Sequence, residues 1–599
     1  MLDEEILEND PLSKSSFKTL FRLWRVLAPY KMILFFANAI CITYVIADIM
    51  LVDSITDLVA RTDLQTAGYF NLVSALTLLA IINRICGTTQ FYLTVYATNR
   101  AMIDLRSLFF SRLTNQSKDF YDRHKVGWLV ARGTGDMGHI YDFLAYALMI
   151  IMIVVTYFTL IGSKMFSMAP RLIMVCSSIV LLGTIFIYFL QKILRRLVDD
   201  QSRQNSQMIG YLAESIRGIK VIQAFAREDY NLNSYTSYNK ENVRLSLKVI
   251  RMSGLLLPTM DVLGILGMVS VMSYGSYLIS IDYLMPGGEP LNAAKLSACV
   301  LYMNMLLMPI RMCIDIYNMS ISASTSARRI FEVIDNVPSL LEPEKPRQPE
   351  SISGKLEFQE INFSYTPDGQ RILKNFDLTI PAGQSIAIVG ETGAGKTTLA
   401  HLAARFYDPS SGDVLLDGQN LQEFNQDQLH EHMGIVLQDG FLFSGNVLDN
   451  IRFRRPKLTQ EEVISLCKEL GTHSIIDALP DGYLTTIHEG GETLSVGQRQ
   501  IISLSRALAA DPKVLILDEA TSAIDVYTEG ILENALRNLI KGRTTIIIAH
   551  RLSTIRHVDR TLVLANGEII EDGSHEQLME LSGEYAQMIS AGKTETAEE

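Results

Sequence analysis

The stretch GETGAGKT, residues 390–397, sets three glycines, two threonines and a lysine between the apolar run SIAIV and a stretch of helix formers. Gly-x-x-x-x-Gly-Lys-Thr between a strand and a helix is the pattern of a loop that cradles phosphates with its own amides. The backbone N–H groups of Gly393, Ala394, Gly395 and Lys396 and the N-terminus of the following helix are expected to face the anionic oxygens. Lys396 neutralises the outer phosphates in this reading, and Thr397 offers its hydroxyl to Mg2+. Gly390, Glu391, Thr392 and Thr398 complete the loop. A merely structural glycine turn would not need strand and helix both in register.

Farther along, VLILDE ends an apolar run on Asp518 and Glu519. Hydrolysis of a nucleoside triphosphate needs one acid to hold the metal and a neighbour to orient and polarise water. Asp518 is assigned to the metal and Glu519 to the water. Without the phosphate loop, the pair would read as two solvated carboxylates at a strand end.

These residues need a scaffold, and the composition shows two. The chain has 599 residues, 48% hydrophobic and 20% charged, which is too long for one core and too apolar for a wholly soluble protein. Apolar residues concentrate before about position 320 and charged ones after it. A net charge of −12 speaks against a nucleic-acid partner, which requires a basic face. The six cysteines form no CxxC pair, so neither a metal site nor a disulfide framework is supported.

The opening residues 1–16 are acidic and polar, unlike a cleaved signal peptide, and the N-terminus is expected in the cytoplasm. Next, Phe17, Leu20, Phe21, Trp24 and Leu27 recur at helical spacing against Lys18, Arg22 and Arg25, as in a helix lying on a membrane surface. Six segments then approach the roughly 20 apolar residues that cross a bilayer: 31–52, 69–94, 146–166, 172–190, 250–273 and 293–317. Lys and Arg crowd the connections after the second and fourth, so these face the cytoplasm. Both connections keep helical periodicity, which extends the membrane helices into the cytosol. The proline- and charge-rich residues 336–354 form a linker. After it, short apolar runs alternate with helical stretches, as in an α/β domain with a substantially parallel sheet. The expected order is residues 1–30 as N-terminal segment and interfacial helix and 31–335 as a helical membrane domain with six spans. After the linker come an α/β P-loop ATPase domain at 355–590 and an acidic tail at 591–599.

Taken together, GETGAGKT, the Gln438 of VLQD, LSVGQRQ, ILDEATS, SAID ending at Asp525, and the His550 of IIIAH resemble the nucleotide-binding half of the ABC transporter family. The resemblance extends over the whole chain, since the two long cytoplasmic connections look like the intracellular loops of the type IV exporter fold. It implies a half-transporter that works as a dimer, with ATP and Mg2+ buried between two nucleotide domains. It also implies that Ser495, Val496, Gly497 and Gln498 cap the nucleotide held by the opposing subunit. Tyr365 would stack on adenine, Gln438 would link Mg2+ to the transport domain, Asp525 would lie at the nucleotide, and His550 would contact the γ-phosphate as catalytic partner of Glu519. Coupling helices are implied near residues 120–128 and 218–229. Ser495 suits a helix N-cap, whereas Val496 stands where the family usually has glycine, which leaves open tolerated variation or an altered partner site. Signatures of this form resemble those in heterodimeric exporters, so a heterologous partner is slightly favoured over a second copy.

The expected activity is ATP-driven, alternating-access export of an amphipathic drug or lipid across the plasma or inner membrane, with the nucleotide domain and both termini cytoplasmic. The alternatives are an exporter-fold importer of a siderophore-like ligand and an ATP-gated channel or regulator. Asp48, Asn83, Arg84, Asp261, Asn304, Arg311 and Asp315 lie within the spans. Because charge in lipid is unfavourable, they either line a pathway or pair internally.

Overall fold

The computed structural model describes residues 15–60, 66–285, 288, 290–343, 345–347, 351–366, 369–436, 440–518, 526–549 and 555–595. The chain divides into two compact units, residues 1–114 with 126–336 and residues 115–125 with 337–599.

The first unit is helical. Helix α1 (Ser15–Leu27) buries Leu23 and Leu27 and leaves Phe21 and Trp24 exposed. Its Arg22 pairs with Asp335 and lies 4.0 Å over the Phe331 ring. Then follow α2 (Lys31–Ala60) and α3 (Thr66–Thr114), while the short α4 (Lys118–Arg123) belongs to the second unit. Helix α5 (Val126–Met168) contains π-helical turns at Arg132–Asp136 and Phe143–Ala147. After it come α6 (Pro170–Arg217), α7 (Ile219–Ala224), α8 (Glu228–Ser253), α9 (Leu256–Ser280) and α10 (Ala293–Asp335). The 48 residues of α6 extend about 72 Å at ~1.5 Å per residue, more than twice a hydrocarbon core of about 30 Å. The basic connection after the fourth expected span is thus a continuation of a membrane helix. Among the described residues, five helices are long and apolar enough to cross a membrane, and the sixth expected segment falls on α10, whose described apolar stretch is Ala293–Leu307.

One core joins α2, α5, α6, α9 and α10, including Val45, Ile161, Leu172, Val271 and Met303. Helices α9 and α10 meet through small residues: a Cβ on Gly264, Gly267 or Gly275 would come within 2.8, 2.6 or 2.2 Å of the Leu307, Met303 or Leu296 side chain. Such close approach is how membrane helices gain packing where lipid supplies no hydrophobic drive. Two carboxylates of α2 are held across helices. Asp48 accepts from Asn83 at 2.7 Å and from the Tyr157 hydroxyl. Asp53 meets Lys164 at 2.8 Å and accepts from the Tyr302 hydroxyl at 2.6 Å. Of the intramembrane polar residues singled out from the sequence, Asp48 and Asn83 therefore pair with each other; Arg84, Asp261, Asn304 and Asp315 have exposed positions, and the side chain of Arg311 lies outside the described ones.

The second unit is built on a six-stranded sheet and a four-stranded one. Its strands are β1 (Leu356–Phe363), β2 (Leu373–Ile380), β3 (Ser385–Val389), β4 (Ser411–Leu416), β5 (Gln419–Asn420), β6 (Met433–Val436), β7 (Gly445–Asn446), β8 (Thr486–Ile487), β9 (Val514–Asp518), β10 (Thr544–Ile548), β11 (Arg560–Ala565) and β12 (Glu568–Gly573). The larger sheet has the order β12-β11-β3-β10-β9-β6 and is parallel except for β12. The smaller, β2-β1-β4-β5, is antiparallel. Every residue of β3 and β10 is buried, which explains why these central strands read as unbroken apolar runs. In-register pairing of Ile388 with Ile548, and of Ile548 with Asp518, brings the carboxyl ends of three strands to one edge.

Candidate nucleotide site

The phosphate loop starts at that edge. Gly390 leaves β3 with φ 148°, and Gly393 and Gly395 take φ 90° and 107°. At Gly390 a Cβ would lie 2.2 Å from the Leu564 carbonyl oxygen, so no larger residue fits without moving β11. Gly395 is the N-cap of α11 (Lys396–Ala403), which directs the free amides of the helix start toward the loop. Lys396 folds back over the loop, its ammonium donating to the carbonyls of Gly390 at 2.6 Å and Glu391 at 2.9 Å. Burial pushes its pKa down and the carboxylate of Asp518 partly restores it, which places the expected metal acid within electrostatic reach of the lysine. Thr397 is exposed, as a metal-ligating hydroxyl must be, and Thr398 is buried. An ammonium hydrogen-bonded to two neutral carbonyls, beside left-handed glycines and an open threonine hydroxyl, fits a triphosphate with Mg2+. Gln438, Glu519, Asp525 and His550 lie outside the described residues.

Tyr365 stands beside the loop, its hydroxyl 3.0 Å from the Thr398 hydroxyl oxygen. The ring is 40% exposed and packs edge-on to Phe363 at 4.9 Å and Tyr407 at 5.1 Å between centroids, leaving an aromatic surface open for a base.

The signature residues start α12 (Val496–Ala510). Ser495 is its N-cap and forms a complete capping box: the Gln498 amide donates to the Ser495 hydroxyl at 3.2 Å, and the Ser495 amide donates to the Gln498 side-chain oxygen at 2.9 Å. Gln498 is thereby engaged in shaping the helix start. Val496 is the first residue of the helix, has no positive φ, and is 39% exposed, while Gly497 behind it is buried. Valine here demands no unusual backbone angle. Replacing Ser495 with alanine should cost about 1 kcal/mol of stability, and aspartate, which also caps, should retain it. Thermal melts of the nucleotide-free protein check this.

One functional contact was not legible in the sequence. The short helix α4 is held on the second unit by the Tyr407 hydroxyl, which donates to Asp122, and by the Ser339 hydroxyl, which donates to Asp119 at 2.7 Å. Phe120 is buried beneath it. Desolvation works to raise the Asp122 pKa, but bonds from Tyr407 and Lys118 hold it below the ordinary value. The depressed pKa means that this contact is complete at neutral pH and is lost only as pH falls through the lowered value. Tyr407→Phe should leave basal ATP hydrolysis near wild type and lower its stimulation by transported compounds, measured as phosphate release with and without compound. No spacing rule links positions 122 and 407, so only the fold shows them as partners.

A membrane-embedded helical unit joined to a P-loop ATPase unit with a capped signature helix defines an ATP-hydrolysing transporter. Residues 32–310 match the ABC transporter transmembrane region and residues 373–522 match the ABC transporter family. A probable multidrug resistance ABC transporter ATP-binding/permease protein, YheH, of Bacillus subtilis is 35% identical over 84% of this chain and 74% of its own length. An ATP-dependent lipid A-core flippase of Syntrophus aciditrophicus is 34% identical over 85% and 84%. The structure of a bacterial Atm1-family ABC exporter with ATP bound superposes with a TM-score of 0.77 at 26% identity, covering 95% of this chain and 98% of that one. The chain belongs to the ABC transporter family, and its fold is that of the exporters.

Proposed function

We propose that this chain is one half of an ATP-driven exporter of amphipathic molecules, drug or lipid, in the plasma or inner membrane with its nucleotide unit in the cytoplasm. The observation that carries the dimer is α7. Neither it nor α8 has a buried residue, and Ile219, Val221 and Phe225 are exposed at 44%, 61% and 75%. An apolar face of that size on a soluble extension calls for cover, and a second nucleotide unit, with exposed Phe441, Phe443 and Phe453, offers a matching surface. Val496 gives no sign of a strained signature, which favours tolerated variation over an altered partner site, while the likeness of the signature to those of heterodimeric exporters still slightly favours a heterologous partner.

In this reading Lys396 and the loop amides grip the phosphates on one chain, and Ser495 and Gly497 of the other close over them. Mg2+, when bound, neutralises charge between the outer phosphates. Glu519 takes a proton from the attacking water, and His550 holds the outermost phosphate. Closure draws the coupling helices α4 and α7 together, which tips the spans from inward to outward access. The exporter names of the relatives support outward transport, and the multidrug and lipid names support an amphipathic cargo.

The test is ATP-dependent uptake of amphipathic dyes and labelled lipids into inside-out vesicles, alongside ATPase stimulation by a compound panel. Uphill accumulation is expected there and not in right-side-out vesicles. Accumulation of the opposite sense would favour an importer, and no uphill movement would favour a channel or regulator.

A further inference from the structure

Three rings beside the phosphate loop form a closed set. Phe363, Tyr365 and Tyr407 meet pairwise, edge to face, with centroids 4.9, 5.1 and 5.7 Å apart. Phe363 and Tyr407 are 3% and 9% exposed, whereas Tyr365 is 40% exposed. Of the three, Tyr365 is the one that offers a face to a ligand, and the other two are packed too closely to move independently of it. The Tyr365 hydroxyl adds a tether to α11, through Thr398 at 3.0 Å.

The far side of the set leads away from the nucleotide. Tyr407 donates its hydroxyl to one carboxylate oxygen of Asp122 on α4, and Lys118 of the same short helix donates to the other at 3.1 Å. The backbone is anchored two residues before Tyr407. There Arg405 is 1% exposed, takes a left-handed φ of 52° and donates to the Phe424 carbonyl at 2.7 Å. A shift of the Tyr365 ring is therefore taken up by the Tyr407 side chain rather than by its backbone, and it reaches the carboxylate which that side chain holds. Helix α4 lies in the connection between α3 and α5, both long and apolar enough to cross a membrane.

We propose that Tyr407 is a positioning residue that makes the hold on α4 depend on the nucleobase. This rests on the reading of Tyr365 as the platform for the base, and goes beyond it. A base on the open face pins the Tyr365 ring, the packed rings keep Tyr407 in place, and its hydroxyl keeps Asp122. With the face empty, the bond to Thr398 restrains Tyr365 at its tip alone, and the hold on α4 weakens. Lys396 and the loop amides grip phosphates in either case, so the base supplies a signal that a bare triphosphate lacks. Such coupling is reciprocal: whatever factor the base adds to the α4 contact, that contact adds to the affinity for the base.

The test compares the affinity of the full-length protein for MgATP with that for magnesium tripolyphosphate, which has the phosphates and no base. Both compete against a fluorescent ATP analogue calibrated for each variant. Tyr407→Phe and Asp122→Ala should each weaken ATP by about fivefold, the low end of allosteric coupling, and leave tripolyphosphate unchanged. Asp122→Asn keeps an acceptor for the Tyr407 hydroxyl and should retain the wild-type preference for ATP. In turnover at saturation, UTP, whose single ring covers less of Tyr365, should support less stimulation by transported compounds than ATP does. Tyr407→Phe should bring ATP down to the UTP level. Equal weakening of both ligands in Tyr407→Phe signals damage to the phosphate loop and overturns the proposal. So does unchanged affinity for both, or equal stimulation with ATP and UTP in the wild type. Tyr365→Ala separates the two readings: if it binds ATP like the wild type, the stacking platform fails and the proposal with it. If it loses affinity while Tyr407→Phe does not, only the link to α4 fails. A wild type that no compound stimulates counts against the exporter reading, and the affinity measurements, which need no transported compound, still decide this one.

Discussion

Lys396→Ala should abolish hydrolysis and weaken ATP binding by about 100-fold or more, the equivalent of roughly two charge-assisted hydrogen bonds at 1.5–3 kcal/mol each. The structure shows why so little else can substitute. The Lys396 residue is 7% exposed, and its ammonium is satisfied by two neutral carbonyls, at 2.6 and 2.9 Å. Burial already disfavours its charge, so an anion arriving at the loop finds a cation that gains by pairing. Arginine should not rescue, because its planar fork is longer and cannot fold back between Gly390 and Glu391. Titration with a fluorescent ATP analogue measures the affinity. A second readout separates binding from folding: ATP at 100 times Kd should stabilise the wild type by about 2.7 kcal/mol and leave the variant's melting point unmoved. An alanine variant with wild-type affinity would show that Lys396 is not the phosphate ligand.

The residues around that lysine were readable from the chain because each obeys a local rule. Gly390, Gly393 and Gly395 mark left-handed backbone, which the structure shows at φ 148°, 90° and 107°. Ser495 followed three residues later by Gln498 spells a capping box, and the box is formed. Buried parallel strands read as apolar runs, and β3, β9 and β10 begin and end where those runs do. Most span positions were legible for a similar reason, but the fifth, expected at 250–273, was placed too early: its first residues end α8 at Ser253 and the apolar span is Asp261–Ser280, because amphipathic extension and apolar span share one period. Contacts that join distant segments were not legible. Nothing in local spacing pairs Tyr407 with Asp122, or Asp53 with Lys164 and Tyr302. Nor does periodicity say that Asp48 is enclosed while Arg84, one residue from its partner Asn83, points outward. The antiparallel sheet β2-β1-β4-β5 was likewise missed, because its strands mix buried with exposed residues instead of forming apolar runs and are interrupted by register shifts.

The position of Asp518 carries the second large effect. It ends β9 in register with Ile548 of β10, and its charge reaches Lys396. In the reading proposed above, Asp518 and Thr397 would hold Mg2+, which would neutralise charge on the phosphates. In the same proposed reading Glu519, the next residue in the chain, would be the carboxylate that orients and deprotonates water. Glu519→Gln keeps the shape and removes the base, so hydrolysis should fall by roughly 10²–10⁴-fold while ATP affinity stays near wild type. The consequence for assembly is opposite to that of Lys396→Ala. With hydrolysis blocked, ATP should hold the two nucleotide units together, so the Glu519→Gln protein should accumulate as a closed, nucleotide-loaded dimer. Phosphate release and retention of labelled ATP after desalting read the two effects separately. Asp518→Asn should instead raise the Mg2+ concentration needed for half-maximal activity. Hydrolysis surviving Glu519→Gln within about tenfold would place the base elsewhere, since losing general-base catalysis removes at least about 100-fold.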